Sequence, residues 1–161
     1  MKRTLTLSAL AVTGLMALTP AAFAADEYNT SSGLTAAGAP LGLHGVDPVA
    51  FVDLGNRIDG TAKHTATHDG VAYYFASEDT KKAFEANPAA YLPENGGFCT
   101  YGVSVGKKFD GDPQFAAVVD DKLYLFLNEE IFRAFQQDVD GTIKKAADNW
   151  KKIRSTAASE L

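Results

Sequence analysis

Cys99 is the residue best suited to metal binding or catalysis, because it is the only cysteine of the chain. It follows the glycine pair Gly96–Gly97 after one phenylalanine. If Cys99 begins a helix there, the helix dipole favours its thiolate, which is a soft metal ligand and a nucleophile. His44, Asp47 and His68 are the nitrogen and oxygen donors that would complete a metal site. A mixed N, O and S ligand set suits Cu(II) or Zn(II), and we expect copper before zinc as the cofactor, or otherwise no cofactor.

The spacing of the histidines limits this site. His64 and His68 share one face of a predicted strand, where about 3.3 Å per residue separates them by about 13 Å. One ion with bonds of about 2 Å cannot bind both, so at most one of them joins Cys99. His44 lies in a predicted loop and is the best-placed nitrogen ligand. Asp47 also has a structural interpretation, as the turn residue before a proline.

Two other roles for Cys99 stay open. Between Phe98 and Tyr101 it has the surroundings of a small buried apolar residue, in a protein that binds a small ligand or another protein. A Cys-His-Asp arrangement with one of the histidines and Asp47 would instead make a thiol-dependent enzyme, although no spacing demands it. The chain contains no serine nucleophile elbow, phosphate loop or dinucleotide fingerprint, so we favour a binding module over an enzyme.

Residues 1–24 have the pattern of a signal peptide. Lys2 and Arg3 precede the apolar run Leu5–Leu18, and Ala22–Ala24 supplies the small-x-small cleavage pattern. We predict cleavage after Ala24 and a periplasmic or secreted protein. The alternative is a retained membrane anchor, but the run is shorter than the roughly 20 apolar residues that span a bilayer. The mature protein is therefore not expected to span a membrane.

Composition excludes several functions. Loss of Lys2 and Arg3 with the leader changes the net charge from −5 to −7, which would repel a nucleic acid. Both methionines, Met1 and Met16, also leave with the leader, which excludes a methionine-rich Cu(I) site. The expected partner is a metal ion or a small ligand, and the sequence does not identify a protein partner.

The order of elements predicts an α+β fold, a small single domain of two β-hairpins covered by short helices. Residues 25–40 are predicted to be a flexible N-terminal arm, residues 41–155 the domain, and residues 156–161 a disordered tail. Asp69-Gly70 and Asp120-Asp121 mark the two hairpin turns. A helix follows each hairpin, capped by Ser77 in the first case and by Asn128 in the second.

Three shorter elements complete the prediction. Pro48 keeps the residue before it out of the helical region, so residues 49–52 are predicted to be a short strand. Residues 99–105 are predicted to form a short helix that ends at Gly106. A last helix is predicted to run from Asp140 to about Arg154.

The two hairpin–helix segments predict an internal repeat. Residues 69–84 align without a gap with residues 120–135, and Asp, Tyr, Phe, Glu, Ala and Phe coincide. The alternative is that any hairpin followed by a capped helix would align this well. In either case each helix has one apolar face that must cover a sheet. Cys99 falls between the two units.

Four segments resemble the YHS-domain family, in the small exported form in which that domain is nearly the whole protein. They are Asp47–Phe51, Tyr73–Phe84, Asn87–Pro93 and Gly96–Cys99. The resemblance covers most of residues 44–154 and implies a small α+β domain of hairpins covered by short helices.

Metal-linked members of this family, such as domains attached to heavy-metal transport ATPases, carry three further cysteines in this framework. The chain has Ala50, Ala76 and Thr80 at those positions. The family's metal site is therefore not carried over, and a metal in this protein would have Cys99 as its only sulfur ligand.

Overall fold

The computed structural model describes residues 26–161, so the predicted signal peptide lies outside the described residues. The described chain forms a single α+β domain, as the sequence predicts. Its strands are β1 (Thr61–His68), β2 (Val71–Phe75), β3 (Asp112–Val119) and β4 (Lys122–Phe126). Its helices are α1 (Pro48–Leu54), α2 (Glu78–Ala86), α3 (Thr100–Ser104), α4 (Glu129–Gln137) and α5 (Val139–Ile153).

The two predicted hairpins are confirmed. β1 pairs with β2 and β3 pairs with β4, each as a separate antiparallel two-stranded sheet. Asp69 and Gly70 have φ of 47° and 78°, and Asp120 and Asp121 have φ of 50° and 59°. These left-handed residues form the kind of turn whose twist matches that of the flanking strands.

The two hairpins are paired in the same register. Thr61 pairs with Phe75, and 51 positions later Asp112 pairs with Phe126; the other four pairs keep the same offset. Both ladders also carry an irregularity after the first pair, at equivalent places. The helices repeat too, because Ser77 caps α2 and Asn128 caps α4, each accepting a hydrogen bond from the N–H three residues later.

The likeness extends to the segments before the hairpins. A turn of left-handed residues comes first in each unit, at residues 43–45 and 95–97. The residue at the N-cap of the following helix is Asp47 in one unit and Cys99 in the other. The Asp47 N–H donates to the Ile58 carbonyl at 2.8 Å, and the Cys99 N–H donates to the Phe109 carbonyl at 2.9 Å. Cys99 is therefore the structural counterpart of Asp47.

The strand predicted over residues 49–52 is wrong, because these residues lie in α1. Pro48 does hold Asp47 in an extended conformation, with φ of −73° and ψ of 111°. This is the conformation of a helix N-cap, and proline is favoured at the first helical position that follows. The same local restriction therefore starts a helix here.

Helices α2 and α4 each cover the hairpin that precedes them in the chain. Phe84 of α2 packs on Tyr73 and Phe75, with ring centroids 5.2 and 5.1 Å apart. Phe135 of α4 packs on Phe126 at 4.4 Å. A third cluster joins the units, since Phe51 of α1 packs with buried residues of β4. This shared cluster makes the two units one domain.

The predicted flexible arm and disordered tail have defined contacts that the sequence analysis did not predict. The Glu27 N–H donates to the Arg154 carbonyl at 2.9 Å, and the Asn29 N–H donates to the Gly96 carbonyl at 2.8 Å. In the tail, the Ala158 N–H donates to the Glu27 carboxylate at 2.9 Å. The composition of these segments resembles that of disordered chain, but hydrogen bonds join them to the domain and to each other.

Candidate functional site

Cys99 lies at the N-cap of α3 and is fully buried. Its backbone N–H is bonded to the Phe109 carbonyl, and the Gly102 N–H points at its sulfur at 3.5 Å. The prediction that Cys99 stands at the start of a short helix is confirmed. The side chain belongs to an apolar cluster with Phe126 and Phe135, so it is also part of the core of the second unit.

Asp47 shows what the equivalent position holds in the first unit. Its Oδ1 accepts from the N–H groups of Val49 and Ala50, at 2.9 and 3.1 Å. Its Oδ2 accepts from the Ala76 N–H at 2.8 Å. Both oxygens of this buried carboxylate are therefore used to hold the start of α1 and the end of β2 together.

The thiol of Cys99 faces the three backbone N–H groups that are equivalent to these donors in the second unit. The backbone N–H groups of Gly102, Leu127 and Tyr101 interact with its sulfur. In the first unit the three N–H groups bind a carboxylate, which is charged and hydrophilic. In the second unit the equivalent N–H groups surround a thiol, which is weakly polar and soft. The second unit thus keeps the backbone geometry but presents an apolar surface at this point.

Burial raises the pKa of the Cys99 thiol above its ordinary value. The three N–H groups favour the thiolate and oppose this effect, whereas the nearby Asp110 carboxylate adds to it. Desolvation is the largest of these influences, so the thiol is protonated at neutral pH. A catalytic cysteine requires the opposite shift.

We expect Cys99 in the folded protein to react slowly with iodoacetamide. The thiolate is the reactive form, so a raised pKa moves the rise in rate to a pH above the ordinary value of about 8.5. At pH 8 the native rate should be well below that of the urea-unfolded protein, because burial lowers the thiolate fraction and blocks access of the reagent to the sulfur. A rate profile measured from pH 6 to 10 tests this. A midpoint below 8 would instead support a thiol-dependent enzyme.

The other predicted metal ligands have separate surroundings. Nε2 of His44 lies 3.0 Å from Oδ1 of Asp110, and Nε2 of His68 lies 3.6 Å from Oδ2 of Asp69. Asp47 is occupied by backbone N–H groups, as described above. Within residues 26–161 no three His, Cys, Asp or Glu side chains form a group that could hold a metal ion. The structure therefore does not bring Cys99, His44, Asp47 and His68 together as one ligand set.

A small pocket opens above Cys99, and the sequence analysis missed it. Its volume is about 150 Å³ and its exposed surface is apolar. Its lining consists of Cys99, Tyr101, Gly102, Val105, Phe109, Leu127 and Ile131. The rim is exposed to solvent, with 61% of Val105, 47% of Phe109 and 38% of Leu127 accessible. The sequence does contain one signal for this pocket. Val105, Phe109 and Leu127 are apolar residues in or beside a polar loop and at a strand end, where polar side chains are expected.

Gly102 shapes this pocket. A Cβ atom at this position would lie 2.8 Å from Cδ2 of Phe109, which is closer than carbon atoms pack. The glycine therefore lets the Phe109 ring lie directly on α3. The ring forms one wall of the pocket, and the carbonyl of the same residue anchors Cys99.

A larger cleft of about 640 Å³ lies elsewhere, between the end of α1 and the β3–β4 turn. Its lining includes Asp53, Asp120 and Asp121 together with apolar residues, and Lys122 forms an ion pair with Glu94 there at 3.3 Å. Exposed carboxylates at a turn are ordinary solvated surface. Exposed apolar side chains gathered around one cavity are a stronger indication of a binding site, so we take the Cys99 pocket as the candidate functional site.

No family model, curated protein or solved structure matches the chain. Of residues 26–161, no helix is both long and apolar enough to cross a membrane.

Proposed function

We propose that this protein is an exported binding module of the YHS type whose ligand is a small apolar molecule held in the pocket above Cys99. Export rests on the predicted leader, and the YHS type rests on the sequence motifs described above. The nature of the ligand rests on the pocket. The proposal follows the ligand-binding alternative of the sequence analysis, with Cys99 forming part of the pocket lining.

The observation that carries this proposal is the apolar pocket with its solvent-exposed apolar rim. Burying apolar surface contributes about 25 cal/mol per Å², so a ligand that covers Val105, Phe109 and Leu127 gains free energy from the surface it removes from water. A volume of about 150 Å³ is that of an apolar cavity known to bind benzene in another protein. It is below the range of roughly 300–1,000 Å³ that drug-sized ligands occupy. The expected ligand is therefore about the size of one aromatic ring.

The family resemblance supports an apolar ligand. The metal-linked members carry cysteines at the positions of Ala50, Ala76 and Thr80, around the N-cap of the first unit. The counterparts of these positions in the second unit are Gly102, Leu127 and Ile131, which all line the pocket. At the positions of the second unit that are equivalent by the repeat, the pocket thus has residues without a metal-ligating side chain. The polarizable thiol of Cys99 suits contact with an aromatic ring.

We expect benzene and indole to bind the mature protein with an affinity on the order of 1 mM, as the size of the ligand implies. In ¹⁵N-labelled protein the amide signals of Tyr101, Gly102 and Phe109 should shift on titration. Leu127→Trp would fill the pocket and should abolish these shifts. The matched control is Leu54→Trp, which enlarges an exposed leucine at the end of α1 and should leave them unchanged.

Two outcomes would contradict the proposal. One is the absence of pocket shifts at millimolar benzene and indole, and the other is shifts that persist in Leu127→Trp. Isothermal titration with Cu(I), Cu(II) and Zn(II) tests the competing metal hypothesis. Micromolar affinity that Cys99→Ser abolishes would favour a metal site in which Cys99 supplies the only sulfur.

A further inference from the structure

Lys108 is a buried cation beside the candidate pocket. Its side chain is fully inaccessible to solvent. Its ammonium group donates to the Glu27 carboxylate at 2.9 Å and to the carbonyls of Arg154 and Thr156 at 2.9 and 2.6 Å. These three bonds use all three of its N–H donors. A single lysine thus joins the N-terminal segment, the C-terminal segment and the loop after α3.

Aromatic rings complete the surroundings of this ammonium group. It lies 5.1 Å from the centroid of the Phe98 ring and 5.2 Å from that of the Trp150 ring. A buried charge is tolerated when it is paired and hydrogen-bonded, and the loss of its charged partner leaves it uncompensated. Glu27 is the anion that pairs with Lys108 here, so the position of the lysine depends on the N-terminal segment.

The position of Lys108 in turn determines that of Phe109, the next residue. Phe109 forms one wall of the pocket, and its carbonyl accepts the hydrogen bond from the Cys99 N–H. On the other side, the Lys107 N–H donates to the Gly102 carbonyl at 2.9 Å. The lysine is therefore anchored in the middle of the short segment that closes the pocket.

Asn29 holds the other side of the same site. Its N–H donates to the Gly96 carbonyl at 2.8 Å, and its side-chain amide donates to the Gly97 carbonyl at 3.0 Å. The same amide donates to Oδ1 of Asp110 at 2.7 Å, and that oxygen also lies 3.0 Å from His44. Residues 27–29, which we call the N-terminal strap, therefore contact the chain immediately before Cys99 and immediately after Phe109.

We propose that the N-terminal strap controls access to the pocket above Cys99. With the strap docked, Lys108 and Asp110 are held and Phe109 stays against α3. With the strap released, Lys108 loses its counter-ion, and the segment that carries Phe109 moves away from Cys99. This inference deepens the proposed function, because the pocket it regulates is the proposed binding site.

The test measures the accessibility of Cys99 in variants of the strap. Glu27→Gln removes the charge with little change in shape, and Asn29→Ala removes the amide contacts independently of Lys108. In each variant we expect native-state alkylation of Cys99 by iodoacetamide at pH 8 to accelerate about tenfold or more, since local opening exposes the thiol. Hydrogen exchange of the Cys99 amide should accelerate with it, because that amide is bonded to the Phe109 carbonyl.

Two controls separate local release from general loss of stability. Glu160→Gln changes an exposed glutamate in the C-terminal tail and should leave both rates unchanged. Phe51→Leu destabilises the core cluster that joins the two units, to which residues 27–29 do not belong. If this variant has the same free energy of unfolding as the strap variants and accelerates Cys99 alkylation as much as they do, the strap has no specific role. Unchanged alkylation in both Glu27→Gln and Asn29→Ala would also overturn the proposal.

The benzene titration keeps the two proposals separable. If the strap variants expose Cys99 while the wild-type protein does not bind benzene or indole, the strap is confirmed and the ligand proposal fails. If the wild-type protein binds these probes and the strap variants neither alter that binding nor expose Cys99, the ligand proposal is supported and the strap proposal fails.

Discussion

Asp47→Ala is expected to lower the free energy of unfolding by about 3 kcal/mol or more, because it combines the loss of a helix cap with buried unsatisfied donors. The carboxylate is fully buried and accepts hydrogen bonds from Val49, Ala50 and Ala76. Alanine leaves those three N–H groups without this acceptor, in a place that water does not reach. Urea denaturation measures the loss as a lower midpoint with an unchanged slope.

The matched control for this variant is Asp53→Ala. Asp53 is an exposed aspartate on the same helix, so its replacement should change the free energy of unfolding by no more than about 0.5 kcal/mol. A loss below about 1 kcal/mol for Asp47→Ala would mean that the hydrogen bonds of this carboxylate contribute little. Asp47 would then be free to act as a ligand, as the metal hypothesis supposes.

Gly111→Ala is expected to lower the free energy of unfolding by about 3 kcal/mol, which is at the upper end of the effect of overpacking in a core. A Cβ atom at this position would overlap the Gly97 carbonyl oxygen and lie 2.8 Å from Cβ of Leu125. Both neighbours are held, Gly97 by the Asn29 side chain and Leu125 by the core cluster that joins the two units. The clash is therefore with backbone that cannot move without disturbing the segment before Cys99.

The comparison variant is Gly55→Ala at the end of α1. Gly55 has φ of 65°, and the space around its added Cβ is open among the described residues. The Gly55→Ala substitution should therefore lower the free energy of unfolding by only about 1 kcal/mol, because alanine disfavours the left-handed conformation. Thermal and urea unfolding measure both variants. Equal losses at the two positions would show that the close approach of Gly111 to Gly97 is relieved without cost.

The turn and cap residues were sufficient to predict the two hairpins and the helix that follows each of them. Asp69-Gly70 and Asp120-Asp121 adopt left-handed conformations that few residue pairs tolerate, and Ser77 caps a helix through its own side chain. These are interactions between residues close in sequence, so they are readable without the fold. The error at residues 49–52 has a different cause, because Pro48 restricts the preceding residue in the same way before a strand and before a helix. Aspartate at the N-cap followed by proline at the first helical position is a local signal for a helix, and the strand prediction did not take it into account.

The candidate site was predictable only in part. Cys99 stood out because it is the single thiol, and the glycines before it indicated the start of a helix. Its expected partners were chosen by residue type, and the structure gives His44 and His68 carboxylate neighbours of their own. The residues that do surround it include Phe109 and Leu127, which come from a loop and a strand end and have no chemical signature.

The sequence by itself determined the α+β class, the two hairpins, the capped helices and the likeness of the two units. The tertiary structure decided that Cys99 replaces Asp47 at an equivalent N-cap, that the surrounding residues form an apolar pocket, and that the N-terminal segment is bonded to Lys108. The physical reason is the range of the interactions involved. Turns and caps depend on neighbours within about four residues. The pocket and the buried lysine depend on contacts between distant segments, such as Glu27 with Lys108, which exist only once the chain is folded.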